Sequence, residues 1–194
     1  KDITLVGASK MNDAAACQEA IAAGIDALGE NRVQEMTEKL KENAYDGAPL
    51  HFIGHLQRNK VKQVVGKAAL IHSVDSQRLL QAIDSQAGKL GLVQDILLEV
   101  NIAGEESKGG CTPQEAEELA ALAEGMDHVR LRGLMAIPPV SPEPGANRPF
   151  FAAMRQLFVD IKGKMAHNQD DMDCLSMGMS GDYADAIAEG STLV

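Results

Sequence analysis

The sequence predicts an α/β fold, a single (β/α)8 barrel of the TIM type. Three observations carry this expectation. Short apolar runs alternate with longer amphipathic runs along the whole 194-residue chain, and such alternation implies a parallel sheet with helices outside it. Seven strand-like runs are visible and an eighth begins at Thr192–Val194. Eight units fit a closed barrel, with an open doubly wound sheet as the structural alternative. Neither G-x-G-x-x-G nor G-x-x-x-x-G-K-S/T occurs, which removes the usual reason to prefer a nucleotide-binding open sheet.

The elements follow in order. Ile3, Leu5 and Val6 make Ile3–Ala8 the first strand, which ends in small residues and then Ser9-Lys10. Helix-like Ala14–Ala23 leads to strand Ala27–Leu28, and helix Arg32–Glu42 to strand His51–Ile53. Asn59–Val65 is a short helix whose polar face carries Arg58, Lys60 and Lys62, before strand Ala69–His72. Asp75-Ser76 offers cap residues for helix Ser76–Leu90, and Thr112-Pro113 offers a cap with proline at the first position of helix Pro113–Glu124. Strands Ile96–Asn101 and Leu131–Ala136 flank that second helix. The Pro- and Gly-rich Ile137–Pro149 reads as a mobile loop rather than a boundary, because alternation resumes with helix Pro149–Met165, strand Asp173–Met177 and helix Tyr183–Glu189. The whole chain, 1–194, is expected to be one domain. Both ends are abrupt, so flanking pieces are expected beyond them.

A formal net charge of −10 argues against nucleic acid or an anionic membrane as the main partner, since those need clustered Lys and Arg. With no Trp, two Tyr and four Phe, the core must come from Ala, Val, Ile, Leu and Met. Cys17, Cys111 and Cys174 are far apart, odd in number and without zinc spacing, which predicts free thiols. No signal peptide or bilayer-length apolar run is visible, and a cytoplasmic location is expected.

In a β/α barrel chemistry gathers at the C-terminal strand ends. Lys10 stands there after the first strand. A lysine near apolar walls loses hydration, which favours the neutral, nucleophilic amine that attacks aldehydes; the alternative is a surface lysine that snorkels out. "LSMGMSGDYADAI" places Ser176, Gly178, Ser180 and Gly181 before a helix beginning near Asp182. That is either an anion site of N–H groups and hydroxyls or an ordinary cap by Ser180 or Asp182. Asp182 beside an anion is tolerable only if its side chain turns away. Asn31 reads either as a cap or as part of the mouth, and Asn101 as an amide presented to the mouth. Lys108 lies in a Gly-flanked loop, and Asp75 is most simply a cap. His51, His55 and His72 lack metal-ligand spacing.

The blocks "GASK", "GENRVQE", "HFIGHLQRNKVK", "IHSVDS", "VNIAGEESKGG", "RGLMAIPP" and "LSMGMSGDYADAIAEGST" occur in this order across nearly the whole chain. Together they resemble the YggS/PROSC family of pyridoxal 5′-phosphate (PLP) binding proteins. The resemblance implies a barrel like the alanine racemase N-terminal domain, PLP fold type III. It puts the Schiff-base lysine on Lys10 and the phosphate segment on Ser176–Gly181, with Ser180 as the preferred side-chain donor. It brings Thr192 towards the phosphate and sets Asn31 and Asn101 at the mouth. Val6, Ala8, Met135 and Met177 would wall the ring. Two departures stand out. The family continues past "GST-x-V" into Arg-x-Gly, so the ring-nitrogen partner is not assigned, and the second lysine of many members is Asn12 here.

The resemblance implies a PLP-binding protein of intracellular PLP homeostasis that holds the aldehyde on Lys10 and passes it to apo-enzymes, with no catalytic residues of its own; a monomer is expected because no long apolar surface helix stands out. The alternative is a PLP-dependent racemase or another weak PLP enzyme. Racemisation in the resembling fold takes its second base from a separate domain, for which the chain leaves no room, and neither Tyr45 nor Tyr183 has an evident claim to the role. A cofactor-free Schiff-base lyase is the third reading.

Overall fold

The structure, a computed structural model, describes residues 3–194. Its strands are β1 Val6–Ala8, β2 Ala27–Glu30, β3 Leu50–Phe52, β4 Leu70–Val74, β5 Gln94–Glu99, β6 Val129–Ala136 and β7 Cys174–Met177. The helices between them are α1 Ala14–Ala22, α2 Val33–Lys41, α3 Val61–Val64, α4 Gln77–Leu90, α5 Pro113–Glu124 and α6 Arg148–Lys164, with α7 Tyr183–Ala188 after the last strand. The strands lie side by side in chain order, each parallel to the next. Residues 192–194 take the eighth place without forming a full strand. Leu193 bridges to Ser176 on one side and to Thr4 on the other, and the Val6 N–H donates to the Val194 carbonyl at 2.8 Å.

The first strand is shorter than its apolar run suggests. The Leu5 N–H leaves the ladder to donate to Asp26 Oδ2 at 2.8 Å, and Leu5 is half exposed. Helix starts follow their cap residues. Asp13 accepts from the Ala16 N–H, and Thr112 and Glu115 form a reciprocal capping box ahead of Pro113. At α4 the cap is Ser76, which accepts from Leu79, and not Asp75.

Alternation along each strand divides the apolar residues between two layers. Leu70, Leu97, Met135 and Leu193, with Val6 and Cys174, fill the inside of the ring. Ile71, Ile96, Leu98, Leu134 and Leu175 face outwards and pack with Met36, Leu80 and Phe151 from the surrounding helices. The inside is thus a packed core, as expected for this architecture. All three cysteines are free. Among the described residues no helix is long and apolar enough to cross a membrane.

One step towards the strand ends from Leu70 and Cys174, the interior turns polar. His72 Nε2 lies 3.0 Å from His51 Nδ1, and His72 Nδ1 lies 3.0 Å from Ser176 Oγ. Burial pushes His51 down to about 4. His72 is held well below the ordinary value by burial first and by His51 second. Both rings are neutral in the folded protein at neutral pH.

Two predictions follow from this packing. Unfolded histidines take up a proton below about pH 6.5, whereas the buried pair does not. Stability is therefore complete above pH 6.5 and falls as pH drops towards 4, by about 1.4 kcal/mol per pH unit for each buried ring. Urea titrations between pH 7 and 5 measure this slope, and a flat profile would contradict the buried neutral pair. At Gly133, φ is +151° and an added Cβ would sit 1.7 Å from the Cys174 carbonyl oxygen. Gly133→Ala should cost at least about 3 kcal/mol in the same titration at pH 7, because β6 and β7 cannot separate without breaking their ladder.

Candidate functional site

Because all strands are parallel, the segments after β1 to β7 gather at one end of the ring. Lys10 stands in the turn after β1, exposed, and its Nζ makes no hydrogen bond or ion pair among the described residues. Its two neighbours are held tightly. Ser9 is buried; its Oγ donates to Glu30 Oε1 at 2.6 Å, and its carbonyl accepts from Lys39 Nζ at 2.7 Å. Met11 adopts φ +64°, a left-handed conformation that costs an L-residue about 1–2 kcal/mol. Its N–H donates to Glu35 Oε1 at 2.6 Å.

Those anchors belong to one cluster. Lys39 Nζ also donates to Glu30 Oε1 at 2.7 Å and to Glu35 Oε1 at 2.8 Å. The Tyr45 hydroxyl donates to Glu30 Oε1 at 2.9 Å. Glu30 is fully buried at the tip of β2, and Lys39 is buried on α2. Burial alone would push the Lys39 ammonium down, but its bonds to Glu30 and Glu35 outweigh it and hold the group above its ordinary value. The hydrogen bond from Lys39 holds Glu35 below the usual carboxylate range, against a smaller opposing effect of burial. Burial and then the Glu30 charge push the Tyr45 phenol up.

Asn31 follows β2. It does not cap α2, whose N-cap is Arg32 without a side-chain bond. Its Oδ1 is buried and has no donor. The residue lines a groove of about 480 Å³ with Arg32, His55 and Lys60. A larger groove of about 630 Å³ lies at the opposite end of the ring, beside the starts of β3 to β5. Among the described residues no group of His, Cys, Asp and Glu is arranged to hold a metal ion.

After β7 the turn is shaped by Gly178, which sits at φ +103°; a Cβ there would be 2.7 Å from the Ala186 Cβ of α7. Ser180 is exposed, and neither its hydroxyl nor the N–H groups of Ser180 and Gly181 have a partner among the described residues. The Asp182 carboxylate does turn away. Oδ1 accepts from the Met179 N–H at 2.7 Å and Oδ2 from Asn147 Nδ2 at 2.7 Å. Ser176 lies inside the ring against His72.

Three further expected site residues are engaged elsewhere. The Asn101 amide closes its own loop, donating to the Glu105 carbonyl and accepting from the Glu105 N–H. Thr192 lies beside the beginning of β7, where its Oγ1 accepts from the Leu175 N–H at 2.8 Å and faces the Asp173 carbonyl. The eighth strand only starts at Thr192, whose neighbours Ser191 and Leu193 bond to Met177 at the end of β7. Met177 is buried with the outer, helix-facing core, because alternation along β7 turns Cys174 and Ser176 inwards and Leu175 and Met177 outwards. Val6 and Met135 do belong to the inner layer, whereas Ala8 is exposed. Lys108 pairs with Glu105 and reaches the Ile137 and Pro138 carbonyls, tying the β5 loop to the β6 loop.

Sequence reasoning missed the Glu30–Lys39–Glu35 cluster. Its available signals were the Glu35–Lys39 spacing of four on a helix and a carboxylate ending an apolar strand. It also missed Glu99 at the tip of β5. Burial first and Asp75 second push its carboxyl up, partly offset by His55.

Comparison with known proteins agrees with this geometry. Residues 7–194 match the family described as alanine racemase, N-terminal domain. A pyridoxal phosphate homeostasis protein of Aquifex aeolicus is 41% identical over 190 residues, covering 98% of this chain and 82% of the relative. One from Escherichia coli is 39% identical, covering 100% and 82%. PipY of Synechococcus elongatus, solved with PLP bound, superposes with a TM-score of 0.88 at 33% identity, covering 99% of this chain and 89% of PipY. An alanine racemase of Clostridium difficile shares the fold at 14% identity and a TM-score of 0.81, with this chain covering 53% of it. A barrel whose strand ends present the unpaired Lys10 amine and an open β7 turn, matched at these identities over nearly its full length, belongs to the family of the pyridoxal phosphate homeostasis proteins.

Proposed function

We propose that this chain binds PLP at the strand ends, holds it as a Schiff base on Lys10 and serves PLP homeostasis in the cytoplasm as a monomer, passing the cofactor to apo-enzymes. The carrying observation is Lys10 itself, a primary amine at the common end of the strands with no acceptor to hold it. PLP supplies an aldehyde that condenses with a primary amine and releases water.

The surrounding groups fit such a ligand. A dianionic phosphate needs donors, and the β7 turn offers the Ser180 hydroxyl with the N–H groups of Ser180 and Gly181. The buried Asn31 Oδ1 lacks a donor, and a ligand hydroxyl is one. A buried oxygen left unpaired costs about 1–3 kcal/mol, so a ligand that pairs it gains that much. The names of the relatives and the PLP-bound PipY point the same way. Three free thiols suit a reducing compartment, and a formal net charge of −10 argues against nucleic acid as the main partner.

Racemisation needs an acid and a base placed on either side of the substrate. Tyr45 is withdrawn from any such role, since it is buried with its hydroxyl on Glu30. That arrangement supports a holder of PLP over a racemase.

Mixing the protein with PLP should give a visible imine band that Lys10→Ala abolishes, and borohydride should fix the adduct on the Lys10 peptide. Racemisation of alanine and serine should stay at the level of free PLP. An adduct on Lys60 or Lys108 would overturn the assignment, and rapid turnover would replace the carrier by an enzyme. Within the site, Ser180→Ala should weaken PLP binding at least about tenfold, the value of a hydrogen bond to a charged group. Thr192→Val should leave the affinity within about twofold, because its hydroxyl serves the strand ladder. Fluorescence or absorbance titration measures both.

A further inference from the structure

The buried charge cluster behind Lys10 is required neither by the fold nor by the binding of PLP. Apolar side chains would fill its space equally well, and buried ion pairs add little stability over such a filling. What distinguishes this cluster is where its hydrogen bonds end. Lys39 Nζ directs its three N–H groups to the Ser9 carbonyl, Glu30 and Glu35. Glu30 takes the Ser9 hydroxyl, and Glu35 takes the Met11 N–H. The cluster therefore grips the backbone on both sides of Lys10 and leaves the Lys10 amine free.

Met11 shows that the grip carries a conformation. Its φ of +64° is one that L-residues rarely adopt. Its side chain is 91% exposed, so packing does not hold it there. Among the described residues, the local bond that fixes its N–H is the one to Glu35. The Asn12 N–H closes the turn on the Ser9 carbonyl at 3.1 Å, and the Glu35 bond ties that turn to the buried network beside a reactive group. Preorganisation of the amine removes the ordering that Schiff-base formation would otherwise require.

We propose that Lys39, Glu30 and Glu35 are positioning residues that clamp the Ser9–Met11 turn and so set the Lys10 amine for imine formation. The proposal rests on Lys10 being the PLP lysine. The clamp acts through the backbone, and no member of it touches the ligand.

Lys39→Met leaves two carboxylates without their partner and risks unfolding, so the test uses Glu35, which sits at the edge of the cluster. Apo and PLP-mixed protein are compared for wild type, Glu35→Ala, Glu35→Gln and the neighbouring control Glu38→Ala. Three quantities are read, namely amide hydrogen exchange at Met11 in the apo protein, the rate of appearance of the imine band, and the PLP dissociation constant. Glu35→Ala should speed Met11 exchange at least tenfold, slow imine formation about tenfold and weaken PLP binding by a similar factor. Glu35→Gln keeps an acceptor for the Met11 N–H and should recover most of the imine rate, which a general loss of stability would not allow. Glu38→Ala should match wild type. Imine formation in Glu35→Ala at the wild-type rate and affinity overturns the clamp, whether or not Met11 exchange changes. A wild-type protein that forms no imine, or forms it away from Lys10, overturns the PLP reading and the clamp with it.

Discussion

Parallel pairing is the constraint from which the rest of the molecule follows. A strand can join a parallel neighbour only after a crossover, and each crossover here is a helix on the outside of the ring. The strands are then buried on both faces and must be apolar on both, which is why Ile96, Leu97 and Leu98 run without a polar break. The same geometry sends every strand-to-helix segment to one end. The interior is too tightly filled by Leu70, Leu97, Met135 and Leu193 to admit a ligand. Chemistry is left to the strand tips, and its address is fixed before any particular residue is considered.

Charge is used differently at the two ends of the ring. At the strand starts Arg130 and Arg132 share Asp95, and Arg132 also grips Asp173. These groups are partly exposed, and each such pair contributes about 0–1 kcal/mol. They stitch the beginnings of β5, β6 and β7 in register. At the strand ends the Glu30–Lys39 pair is buried, with side-chain exposures of 0% and 8%. Burying each ion costs several kcal/mol before pairing, so little net stability remains. Its effect is geometric, and the geometry it determines is that of the turn carrying Lys10.

The sequence made the fold legible because apolar periodicity and crossover length are local properties. All seven strands and seven helices lie where alternation placed them, and the short Thr192–Val194 segment bridges β7 to β1. Lys10, Ser180 and Asn31 were legible as polar residues directly after strands. Asn101, Thr192 and Met177 prove to be engaged within the protein, which their positions along the chain do not reveal. Position along the chain gives the end of the ring a residue approaches, but not whether its polar atoms are already bonded or which face of the strand it occupies. Asn101 closes its own loop with Glu105, Thr192 serves the β7 backbone, and Met177 falls on the outer phase of the strand. The clamp was invisible for the converse reason. Ser9, Glu30, Lys39 and Tyr45 lie up to 36 positions apart and meet only when α2 packs behind the β1 and β2 tips.

A polar residue at a strand tip can serve the protein or a ligand, and its hydrogen bonds tell which. The Asp182 carboxylate is occupied by Met179 and Asn147, and the Lys108 ammonium by Glu105 and two carbonyls. Each of these closes a loop, and removing it would loosen the rim. Among the described residues the unoccupied groups include the Lys10 amine, the Asn31 carbonyl oxygen and the donors of Ser180 and Gly181. An amine, an acceptor and a group of anion donors are the complement of one molecule bearing an aldehyde, a hydroxyl and a phosphate. Where the loops of the rim are closed by such internal bonds, the open groups stand beside that support. Their chemistry specifies the ligand more sharply than the shape of either groove does.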